Sequence, residues 1–214
     1  MNLSIFLMYI TKNICFNILA NNTVTSWGIK MINREKAIEI LHRHLSNENL
    51  RRHCLASSVV MKAAAEKLGQ PAEDWEILGL LHDMDLDITK GDMKSHANVA
   101  VDLLQNEGLP EEYLHAIRSH NEETGAIRNS VLDHALAACE SITGLIVACA
   151  MVYPDRKISS VKAKSIAKRM KEKRFAESVS RENILECEKA GIPFPEFVDL
   201  ALAAMSAIEN QLIN

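Results

Sequence analysis

At 214 residues, with 48% hydrophobic and 24% charged residues and a formal net charge of -4, the chain has the profile of one globular domain large enough to bury a substantial core. Aromatic residues make up only 5%, so the core must come from Leu, Ile, Ala, Val and Met, a mix that favours packed helices over strands. Eight glycines and five prolines supply too few turns for an all-β fold, and an all-α, multi-helix bundle is expected.

The first 30 residues differ from the rest. The stretch MNLSIFLMYITKNICFNILA is apolar, but Lys12 and four Asn or Thr residues interrupt it. It has neither the basic n-region nor the small-x-small cleavage site of a signal peptide, and it falls short of the ~20 nearly uninterrupted apolar residues of a membrane span. Residues 1–30 read as a non-native or disordered N-terminal extension, with a weak membrane or targeting segment as the alternative. Met31 opens an amphipathic run, and residues 31–214 read as a single helical domain with no membrane partner.

Helical periodicity runs nearly throughout. Ile38, Leu41 and Leu45 mark one stripe and Leu55, Val59 and Ala63 a second, which Gly69-Gln70-Pro71 closes. A third helix spans Ala72–Leu81, and polar DMDLDITKGD follows as a loop. The next helix is expected from Lys94 or Ser95 to Gly108, and another with Pro110 at its first position. A long apolar helix is expected from about Asn129 to Met151, and C-terminal helices fill 156–213, near Arg181–Ala190 and from about Pro195. Five cysteines, Cys15, Cys54, Cys139, Cys149 and Cys187, have no C-x-x-C spacing and read as reduced thiols of a cytoplasmic protein.

The chemistry gathers around His82-Asp83. This polar pair directly follows the apolar run Leu78-Gly79-Leu80-Leu81, and burying it without partners costs ~1–3 kcal/mol per group. His53 lies among apolar neighbours on the second helix, and His96 and His120 follow the pair. Glu140 sits inside LDHALAACESITGLIVACA, where a buried carboxylate needs a metal or an ion-pair partner. Asp133, seven residues earlier, reads either as a group behind the ligands or as an exposed acid at a helix start. His42, His44, His115 and His134 read as ordinary helix residues. Imidazole and carboxylate together suit a divalent transition metal (Mn, Fe, Co, Ni or Zn).

The series His53, His82-Asp83, His96, His120, Glu140 on successive helices resembles the HD superfamily of metal-dependent phosphohydrolases, and among them a small HDIG-type bacterial subgroup. The resemblance covers roughly residues 35–145, the metal-site core, with further similarity over 141–175. It implies that His53, His82, Asp83 and Glu140 hold one metal ion, and that His96 and His120 hold a second with Asp83 bridging. Three positions depart from the family pattern: Glu140 stands where Asp is usual, Met84-Asp85 follows the pair in place of Ile-Gly, and His120-Asn121 replaces a His-His pair.

The resulting expectation is a metal-dependent phosphohydrolase for a nucleotide or other small phosphate ester. Asp83 would anchor the ion and accept the proton of the attacking water. From Arg156 to Arg174 there are nine Lys or Arg against one acid, Glu172. Lys164, Lys168, Lys171 and Arg169 are the candidate phosphate grip in this segment. Phe175 is the only aromatic nearby, which argues against a nucleic-acid platform. Two alternatives stay open: a diiron oxygenase of the HD type, and a non-catalytic metal- or nucleotide-binding regulatory module.

Overall fold

Local capping sets the helix boundaries in the computed structural model, which describes residues 32–213; the expectation for 1–30 lies outside them. Helix α1 (Arg34–His44) starts where the Asn33 side chain accepts from Lys36 N, and α2 (Glu48–Leu68) where Asn47 accepts from Asn49 N and Leu50 N. Gly69 ends α2 in the left-handed conformation, φ 66°. Helix α3 (Ala72–Leu81) matches its predicted span. The expected polar loop contains one helical turn, α4 (Leu86–Thr89).

Helix α5 (Asn98–Gln105) begins later than the sequence predicts. Ala97 has φ 69°, which a continuous helix cannot accommodate. Pro110 is the N-cap of α6 (Glu111–His120) and not its first helical residue. Helix α7 (Val131–Met151) starts two residues after the expected Asn129 because Ser130 and Asp133 form a reciprocal capping box. Asp133 is therefore neither exposed nor behind the metal ligands: it is buried, accepts from Asn129 N and Ser130 N, and meets His115 Nδ1 at 3.2 Å. The chain continues through α8 (Ala163–Met170), α9 (Arg181–Lys189), α10 (Phe194–Ser206) and α11 (Glu209–Leu212). Among the described residues there is no strand.

Helix α7 is the axis of the bundle, with α2, α6 and α9 packed around it and α3 laid along α2. By length and composition α7 could cross a membrane, yet 67% of its most apolar window is buried inside this fold, as the central helix of a bundle must be. Cys54, Cys139, Cys149 and Cys187 are free and buried, and burial pushes each thiol above its ordinary value.

Glu76 ties three helices together. Arg34 Nε of α1 donates to it at 2.6 Å and Lys62 Nζ of α2 at 2.8 Å, while the acid itself is buried on α3. Burial raises its carboxyl, but Lys62 and Arg34 outweigh burial and leave it below 4.5. A carboxylate depressed on folding contributes stability above its unfolded value and loses it as pH falls through the folded one. Glu76→Gln is therefore expected to cost about 1–2 kcal/mol at pH 7. In urea melts, the gap to wild type should close as the pH drops below 4.5.

Candidate metal centre

The six residues singled out above come from five separate places in the fold. His53 projects from α2, His82 caps the C-terminus of α3 with Asp83 next to it, His96 precedes α5, His120 ends α6 and Glu140 lies midway along α7. A glycine makes the first meeting possible. A Cβ on Gly79 would sit 2.7 Å from Ser58 Cα and 2.8 Å from Ser58 N, so α3 lies directly against the α2 backbone. That close approach brings His82 Nε2 to within 3.2 Å of His53 Nε2. Across the site, His96 Nε2 and His120 Nε2 are also 3.2 Å apart.

Each imidazole is held from behind through Nδ1. His82 Nδ1 donates to Gly79 O at 2.9 Å and His120 Nδ1 to Ile117 O at 2.5 Å, and a carbonyl can only accept. His96 Nδ1 donates to the Asp85 carboxylate at 2.7 Å. The Thr143 hydroxyl spends its proton on Glu140 O, 2.7 Å away, so at 3.1 Å it accepts from His53 Nδ1. All four rings therefore carry the proton on Nδ1 and turn a bare Nε2 inward. Two facing lone pairs at 3.2 Å repel unless a cation lies between them. The separation suits two imidazoles on one ion, for which Zn–N bonds of about 2.0–2.1 Å give a chord of about 2.9–3.4 Å.

Asp83 divides its two oxygens between the two histidine pairs. Oδ2 lies 3.4 Å from His53 Nε2 and 3.4 Å from His82 Nε2; Oδ1 lies 3.2 Å from His96 Nε2 and 3.3 Å from His120 Nε2. Two sets of three donors result, His53/His82/Asp83 and Asp83/His96/His120, each able to hold one ion. Burial alone would raise the Asp83 carboxyl, but the surrounding imidazoles outweigh it and hold it well below the usual carboxylate range. Burial drives His82 down to about 3, which keeps it neutral and ready to ligate. Burial also works to lower His96, but Asp83 and Asp85 prevail and raise it to about 9, so in the absence of an ion its Nε2 carries a second proton, which a metal must displace before this ring presents a bare nitrogen.

Glu140 stands at the edge of the first set. Its Oε2 is 3.9 Å from His53 Nε2, Ser141 donates to its other oxygen, and among the described residues no arginine pairs with it. Burial raises its carboxyl, partly offset by His53 and His120. A cavity of about 600 Å³ opens over the centre, bounded by Asp83, His96, His120 and Glu140 on the metal side and by Ser178, Ser180 and Asn183 opposite. Lys164, Lys168, Lys171 and Arg169 do not line it. Lys168 and Arg169 are instead engaged with Glu172, and Arg169 also stacks over Phe175 at 4.0 Å.

Three supporting residues escape a reading of the sequence. Asp85 is fully buried, and besides His96 it accepts from Ala97 N at 2.9 Å and Ala100 N at 3.0 Å, so it orients a ligand and caps α5 at once. Asn121 donates to Met93 O and His96 O, pinning the loop that carries His96. Thr143 fixes His53. Of these, only Asp85 leaves a trace in the sequence, as a second acid beside the His-Asp pair.

Residues 50–150 match the family model of the HD domain. The matched segment, just under half of the chain, begins three residues before His53, takes in the whole centre and stops one residue short of the end of α7. The chain is also 29% identical over 92 residues to ribonuclease Y of Cutibacterium acnes, a likeness that covers 42% of this chain and only 17% of that protein. No solved structure matches the chain. The HD-domain match and the two donor sets support a divalent metal centre.

Proposed function

We propose that the protein is a metal-dependent phosphohydrolase acting on a small phosphate ester such as a nucleotide. The observation that carries this reading is Asp83, set between two pairs of inward-facing imidazole nitrogens. When bound there, divalent ions supply Lewis acidity toward a phosphoryl group and acidify a water for attack. The HD-domain match and the likeness to a protein named as a ribonuclease support phosphoester chemistry.

The protein's own residues take the remaining parts. His53, His82, His96 and His120 hold the ions, and Asp83 joins the two sets. With both Asp83 oxygens turned toward imidazoles, Glu140 is better placed to accept a proton from water: it borders the cavity, and burial raises its carboxyl. Ser178, Ser180 and Asn183 offer neutral hydrogen bonds to the substrate. Alongside Asp83 and Glu140, the cavity wall carries Glu122 and Glu123 and neither Lys nor Arg. Such a wall repels a polyanionic strand and suits an ester whose one phosphoryl group is neutralised by the ions.

The test is elemental analysis of anaerobically purified protein, joined to a phosphate-ester panel assayed with Mn, Fe, Co, Ni and Zn. Up to two ions per chain and metal-dependent release of phosphate or of a nucleotide are expected. Absence of hydrolysis across the panel with every metal would overturn the proposal.

A further inference from the structure

A second cavity, of about 480 Å³, adjoins the first. The two share His53, Gly144, Ser178 and Val179 in their walls. The second is a trough between two helix faces. Asn49, Arg52, His53 and Ala56 recur at i, i+3, i+4 and i+7 along α2, and Gly144, Val147 and Ala148 face them from α7. The same face of α7 carries Glu140, one turn before Gly144, so a single helix leads from the metal centre into the trough.

The roof of the trough comes from the loop 171–180, outside the HD-domain segment. Its position is set by Arg181, whose guanidinium donates to Ala176 O at 2.6 Å and Val179 O at 2.7 Å and also bonds Phe175 O. Val179 then rests on Gly144, where a Cβ would come within 3.1 Å of Val179 Cγ2. The trough is mostly apolar, with Asn49 and Arg52 as its polar edge. Arg52 has no hydrogen bond or ion pair within the described residues, and neither cavity is lined by any other Lys or Arg.

From this continuity we infer that the trough binds the organic arm of the substrate, while its phosphoryl group lies at the metal centre. The arm that fits is a flat ring system with apolar faces and a polar or anionic edge, such as an aryl group or a nucleobase. Its faces would lie against Ala56, Val147, Ala148 and Val179, and its edge would meet Asn49 and Arg52. A guanidinium suits that edge, because it stacks on rings and also donates in the ring plane. The volume lies within the ~300–1,000 Å³ of small-molecule sites. This inference rests on the phosphohydrolase reading, and it places specificity in Arg52 and the loop 171–180 and not in the basic segment as a whole.

Two inert probes test it on the full chain loaded with Mn²⁺: methylphosphonate, which can engage only the metal centre, and phenylphosphonate, which adds a ring. Calorimetry should show phenylphosphonate binding at least ~10-fold tighter to wild type, the scale of burying one ring. Ala148→Phe fills the trough and should remove that advantage, with metal content measured alongside. If Ala148→Phe does not fold, Val147→Phe fills the same space from the neighbouring position. Equal affinity of the two probes for wild type, or a ring advantage that survives the filling, would overturn the inference and leave the phosphohydrolase reading intact. If neither probe binds the loaded protein, the inference is overturned, and the ester panel decides the phosphohydrolase reading separately.

Discussion

Asp83→Asn is expected to leave a folded protein that binds no pair of metal ions and has lost roughly three orders of magnitude in hydrolysis, or about 4 kcal/mol of transition-state stabilisation. The substitution preserves volume, so no cavity opens, and the amide can still donate to inward-facing nitrogens. What disappears is the negative charge that both donor sets share. Asp83 is the one carboxylate whose two oxygens lie within 3.4 Å of all four imidazoles, so losing it weakens both ion sites together. The expected signature is normal helicity and a melting temperature near that of metal-free wild type, with metal content near zero. Retention of two ions together with wild-type turnover would remove Asp83 from the centre.

Gly79→Ala should be the most damaging single-methyl change, costing about 3 kcal/mol of stability and most of the bound metal. The added carbon would meet backbone, at 2.7 Å from Ser58 Cα and 2.9 Å from Ser57 C, and backbone inside a 21-residue helix cannot turn aside as a side chain can. Relief requires α3 to move away from α2. His82 rides on α3 and bonds Gly79 O, while His53 rides on α2, so the same movement parts the first histidine pair. Circular-dichroism melts and metal analysis of the variant check both effects. A variant as stable and as metal-loaded as wild type would show that the helices do not need this approach.

The parts of the centre visible in the sequence are those where burial forces the chemistry. His82-Asp83 follows four apolar residues and Glu140 interrupts an apolar helix, so each position announces a polar group that must find partners. The supporting residues are hidden because their roles depend on tertiary distance. Asp85 belongs to a run of polar residues that reads as a loop, and only the fold shows it buried against His96, Ala97 and Ala100. Helix α5 starts later than the sequence predicts for a related reason: the positive φ of Ala97 is held by contacts from Asp85, and no alanine signals such a turn by itself. Arg52 gives no signal either, since an arginine beside a histidine on a helix is ordinary until the space facing it is known.

The outward hydrogen bonds of the four rings have a consequence for how the protein acquires its metal. Gly79 O, Ile117 O, Asp85 and Thr143 hold the imidazoles in place from outside the centre. None of these anchors depends on an ion. The emptied cage is therefore expected to keep its shape against the repulsion of its facing nitrogens, so that loading would resemble filling a rigid chelator and not folding around a template. Such a cage exchanges one divalent ion for another without rebuilding its walls, so the ion it carries follows the supply around it as much as the preference of its ligands.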